Sequence, residues 1–113
     1  MSSKLLEILY KIHDILVFKT NISVQKFFVN KYNLIMNNYV DDIHKKICLK
    51  IKMERTKRNW TQIQLANYAQ INKNSVGAIE RSENSPTVYM LIKIACAFNT
   101  TVSDLTDISK ITL

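Results

Sequence analysis

The chain has 113 residues, of which 47% are hydrophobic, enough for one small domain with an extension and too apolar for disorder along its whole length. A single glycine and a single proline argue against turn-rich β architecture, and the apolar residues recur at helical spacing, so an all-α fold is expected. The formal net charge of +7 is uneven: residues 1–44 carry five Lys against four acids, residues 45–113 eleven basic residues against five acids. A basic half of this kind suits a polyanion such as nucleic acid.

The first expected helix runs from Ser3 to about Lys19. Leu5, Leu6, Ile8, Leu9, Ile12, Ile15, Leu16 and Phe18 form its apolar stripe. Glu7, Lys11, His13 and Asp14 interrupt this stretch and no small-residue cleavage site follows. It reads as an amphipathic helix, neither a signal peptide nor a membrane span. After "TNIS", with Ser23 as a cap, "VQKFFVNKYNLIMNNYV" places Val24, Phe28, Tyr32, Ile35 and Tyr39 on one face of a second helix. The two helices are expected to form an αα-hairpin over residues 1–40.

"DDI" at Asp41–Ile43 has acids where a helix start favours them, so a third helix is expected to begin there and reach about Arg58. Thr61 and Gln64 have the spacing of a capping box for a helix over Gln62–Ala69. A turn at Gln70–Asn72 leads to a helix over Lys73–Arg81, with Asn72 as cap. Thr87 caps a helix over Val88–Phe98, and Thr101 and Asp104 suggest another capping box for a short helix ending near Leu105. Residues 41–108 thus make a five-helix unit and residues 109–113 a tail.

Two short helices joined by a tight turn, with one helix before and two after, make the helix-turn-helix arrangement. Four separated runs carry a specific resemblance: "RTKRNWTQIQLA" at Arg55–Ala66, "INKNSVGAIER" at Ile71–Arg81, "PTVYMLIKIACAF" at Pro86–Phe98 and "VSDL" at Val102–Leu105. In these residues the chain resembles the Cro/CI-type (XRE-like) helix-turn-helix family, the class of lambda-like phage repressors and many small bacterial regulators. The resemblance implies a lambda-repressor-like DNA-binding domain.

It also implies roles for particular residues. Lys73 and Asn74, at the start of the second helix of the motif, would meet base edges, with Gly77 and Ala78 forming a small apolar surface against a thymine methyl. Gln62, Asn67, Asn72, Arg81, Ser82 and Asn84 are candidates for phosphate. Glu83 is an unwelcome charge near phosphate. Arg55 and Glu80 would form an ion pair tying two helices together. Gln70 stands where the family's turn usually has glycine, which strains the turn unless Gln70 avoids positive φ, so the turn is expected to differ slightly.

The function expected on this basis is a sequence-specific, double-stranded DNA-binding transcriptional regulator: a dimeric repressor at a palindromic operator, in the cytoplasm and associated with the nucleoid. Leu9, Ile12, Leu16, Phe28, Tyr32 and Tyr39 offer a surface for a homodimer or a protein partner. An antitoxin whose residues 1–40 bind a toxin is the alternative. No catalytic constellation, metal set or cofactor motif is visible. His13 and His44 are isolated, and Cys48 and Cys96 lack ligand spacing.

Overall fold

The computed structural model describes the backbone of residues 3–17 and 22–113, and side-chain surroundings for residues 3–12 and 28–113. Six helices occur among the described residues: α1 (Ser3–Val17), α2 (Ile22–Lys57), α3 (Gln62–Ala69), α4 (Lys73–Glu80), α5 (Val88–Ala97) and α6 (Val102–Leu105). The all-α expectation holds, and the five-helix unit is made by the end of α2 with α3 to α6.

One expected boundary is corrected. Asp41–Ile43 does not begin a helix; it lies inside α2, which is 36 residues long. Ser23 also lies within α2 and does not cap it. Asp41 and Asp42 precede Lys45 and Lys46 by four residues, a spacing that supports a helix interior as well as acids support a start. Two compact units result, residues 1–42 and 43–113.

In the first unit, α1 meets the first part of α2 through Tyr10 and Tyr32, whose rings lie edge to face with centroids 5.9 Å apart. Quadrupoles favour that arrangement over a face-to-face stack. Ile8, Tyr10, Ile12, Leu34 and Val40 remain exposed.

The second unit has a continuous core. Cys48 and Ile51 of α2 join Leu65, Ala66, Ala69, Val76, Ile79, Ile94, Ala95, Phe98 and Leu105, all at most 3% exposed. Small residues at Ala66 and Ala69 let α3 approach its neighbours closely. Thr61 and Gln64 form the full reciprocal capping box. Thr101 accepts from the Asp104 amide, but the Asp104 carboxylate accepts instead from the Thr100 hydroxyl, so the box there is half made. Lys50 Nζ donates to the carbonyls of Asp104 and Asp107, tying the end of α6 to α2.

Trp60 closes the junction between α2 and α3. Its ring lies 4.6 Å from Tyr68 and 5.8 Å from Phe98. Arg58 lies 4.6 Å over Phe98 and donates to the Phe98 carbonyl and to Glu54. One guanidinium thereby joins α2 to the end of α5 by charge, hydrogen bond and cation–π contact.

Candidate nucleic-acid interface

The motif is α3, a turn and α4. Asn72 Oδ1 accepts from the Asn74 amide and fixes the start of α4. Lys73 and Asn74 follow directly and are exposed, whereas Val76 and Ile79 point into the core. The helical period thus places polar residues on the outside of the first turn and anchors the helix by the opposite face. Asn67, in the last turn of α3, is exposed as well.

The turn takes the glycine-like conformation without glycine. Gln70 has φ 54° and ψ 47°, and its amide donates to the Ala66 and Asn67 carbonyls. Lys93 Nζ donates to the Gln70 carbonyl from α5. Gln70 does not escape positive φ, so the expected change of turn does not occur; the strain is accepted and the turn kept.

Arg55 and Glu80 are joined by two hydrogen bonds, with the Arg55 side chain 12% and the Glu80 side chain 2% exposed. Arg55 Nη1 also donates to the Trp60 carbonyl at 2.6 Å. The same Glu80 carboxylate accepts from Gln62 Nε2 at 2.9 Å. Gln62, at the amino end of α3, is therefore held by Glu80. That link was missed in the sequence, where Glu80 was assigned to Arg55 alone.

Gly77 and Ala78 differ from their expected places. Ala78 is 8% exposed, and its carbonyl accepts from the Glu83 and Asn84 amides. A Cβ on Gly77 would lie 3.0 Å from Arg81 Nη1 and 3.4 Å from Gln62 Oε1. The expected open apolar surface is thus covered, at Gly77 by two polar side-chain ends and at Ala78 by the chain's own packing. Arg81 is in turn paired with Glu83, Nε to Oε1 at 2.9 Å and Nη2 to Oε2 at 3.0 Å. The hydrogen bond raises the affinity of Arg81 for its proton and holds the Glu83 carboxyl below the usual range.

Ser82, at φ 57°, reverses the chain after α4. Asn84 and Ser85 are tied back to α2: His44 Nε2 lies 3.4 Å from the Asn84 carbonyl, 3.3 Å from Ser85 Oγ and 3.5 Å from Cys48 Sγ. Burial pushes the Cys48 thiol up, against a smaller opposing effect of its hydrogen bond with Ser82, which keeps it protonated at neutral pH. In the sequence His44 looks isolated; Cys48 lies one turn along the same helix, but Asn84 and Ser85 are some forty residues away, beyond the reach of any local pattern.

The remaining candidates, Leu9, Ile12, Phe28, Tyr32 and Tyr39, belong to the first unit. Ile12 is 41% exposed and the other four are half-buried. The Leu16 side chain lies outside the described residues. No group of three or more potential metal ligands occurs among the described residues, and no helix there is long and apolar enough to cross a membrane.

Residues 51–105 match the family model for helix-turn-helix domains. The α3–turn–α4 geometry agrees with that match, and this segment has the helix-turn-helix arrangement. Over 49 residues the chain is 43% identical to the HTH-type transcriptional regulator SutR of Escherichia coli (strain K12). That stretch is 43% of this chain and 28% of the regulator. The structure is also similar to the crystal structure of the restriction-modification controller protein C.AhdI from Aeromonas hydrophila, with a TM-score of 0.53 and 23% identity, over 57% of this chain and 96% of that one. At that identity the likeness is one of fold.

Proposed function

We propose that the protein is a sequence-specific, double-stranded DNA-binding transcriptional regulator that represses by occupying an operator. The observation that carries this reading is the first turn of α4. Lys73 and Asn74 stand exposed on a helix whose other face is locked into the core, within a segment similar to a transcriptional regulator. Lys donates to guanine and the Asn amide pairs with adenine in the major groove. Gln62, Asn67, Asn72, Ser82 and Asn84 are assigned to phosphate, which fixes register without reading sequence.

A single module of this kind contacts half of an operator. Two copies would place their α4 helices in successive major-groove faces about 34 Å apart on a near-palindrome. The exposed Ile8, Tyr10 and Ile12 of the first unit favour that unit as the pairing surface. Residues 1–40 and 41–108 would then divide the work, the first joining copies and the second holding DNA.

The test is a binding titration against the DNA upstream of the protein's own gene. Affinity should fall steeply with salt, and Lys73→Ala should lose sequence preference beyond the loss of one phosphate contact. Equal affinity for random duplex would refute specific regulation. Retention of residues 1–40 by a small protein encoded next to this gene, with no self-association, would replace the dimer by an antitoxin.

A further inference from the structure

We propose that Arg81 reads a base in the groove and that Glu83 is the residue that positions it. This rests on the DNA-binding reading above and gives Arg81 a role other than the phosphate contact expected from the sequence. Four side chains make the arrangement. The Glu83 carboxylate takes the Nε and Nη2 edge of the Arg81 guanidinium at 2.9 and 3.0 Å. The guanidinium lies across Gly77, with Nη1 3.0 Å from the point where a Cβ would stand. Gln62 Oε1 approaches the same point to 3.4 Å, its amide held from the other side by Glu80. Gly77 is one turn beyond Lys73, so the charge lies over the helix surface that continues from Lys73 and Asn74.

An Arg has five N–H donors on a planar fork. Glu83 occupies one edge of that fork, and the end formed by Nη1 and Nη2 remains for a second bidentate partner. Guanine, with O6 and N7 as adjacent acceptors, is the base edge that fits it. A side chain already held by a carboxylate loses less freedom on binding than a free arginine does. This also accounts for an acid placed near phosphates: Glu83 costs repulsion there and returns orientation. The lone glycine follows from the same geometry, since a side chain at residue 77 would displace the guanidinium from the face.

The experiment uses the full-length chain and a pool of duplexes with a randomised central segment. The wild type, Arg81→Ala and Glu83→Gln are each used to select sites, and each position of the wild-type site is then varied singly. Arg81 and Glu83 are both exposed, so neither substitution threatens the fold. Arg81→Ala should abolish discrimination at one guanine, by roughly 5- to 150-fold, and leave the other positions intact. Glu83→Gln should weaken discrimination at that same guanine while raising affinity for random duplex.

Two results would overturn the proposal. Uniform weakening by Arg81→Ala, with every preference kept and the salt slope reduced by about 1, would make Arg81 a phosphate contact. Stronger binding by Glu83→Gln with unchanged preference would make Glu83 a mere competitor for Arg81. If the wild type selects no site at all, sequence-specific regulation fails, a result distinct from both.

Discussion

The two units of this chain use the same apolar residue types to different ends. Among the described residues, every fully buried side chain belongs to residues 43–113, where the end of α2, the short helices α3 to α6 and Phe98 together supply eleven residues to one core. Residues 3–12 and 28–42 contain none, although Leu5, Ile8, Tyr10, Ile12, Val29, Leu34 and Val40 are all large and apolar and all exposed. Helical periodicity is present in both. What differs is the number of elements available to cover an apolar face.

The contrast can be broken most forcefully at the ion pair. Glu80→Ala strands the nearly buried Arg55 and releases Gln62, and should cost roughly 3–5 kcal/mol in denaturant unfolding of residues 43–113. Ile79→Ala leaves a cavity in the same core and should cost about 2–5 kcal/mol. The matching change in the first unit, Leu34→Ser at a 62% exposed position, should stay within about 0.5 kcal/mol. A larger and concentration-dependent loss would mean that a second chain covers Leu34.

Moving the glycine tests a finer point. Gln70→Gly relieves a left-handed residue and should stabilise by about 1 kcal/mol. Gly77→Ala should add a similar amount through helix propensity, since only the flexible end of Arg81 must yield, and should reduce DNA discrimination. A thermal melt of each variant checks both. A further small effect is expected in acid. The hydrogen bond from Arg58 holds Glu54 below the usual glutamate range, so this carboxylate stabilises the fold above that range and the gain is lost as pH falls through its folded value. Glu54→Gln should flatten the acid limb of an unfolding-versus-pH curve by well under 1 kcal/mol.

Much of the second unit was legible because its signals are local. The Thr61–Gln64 capping box, the Asn72 and Thr87 caps and the spacing of Leu65, Val76 and Ile79 each lie within one or two turns. The ion pair of Arg55 and Glu80 was reached through a family resemblance, and the structure brings those two residues together. What stayed hidden depends on distance or on competing uses of one residue. Asp41 and Asp42 serve a helix interior as readily as a start. The carboxylate of Asp104 turns to Thr100, and that of Glu83 turns to Arg81. Ala78 was placed outside by analogy, but a helix held on one side by Val76 and Ile79 carries it inward.

Trp60 is the one indole in the chain, and it is wedged among Tyr68, Phe98 and Arg58. Its emission is therefore a private signal of the second unit, quenched or shifted only when that junction opens. Circular dichroism at 222 nm, by contrast, sums every helix, α1 and the long α2 included. Recorded together along one denaturation curve, the two signals coincide only if the chain unfolds as a single cooperative body. A gap between them would time the two units separately, without a label, a truncation or a mutation.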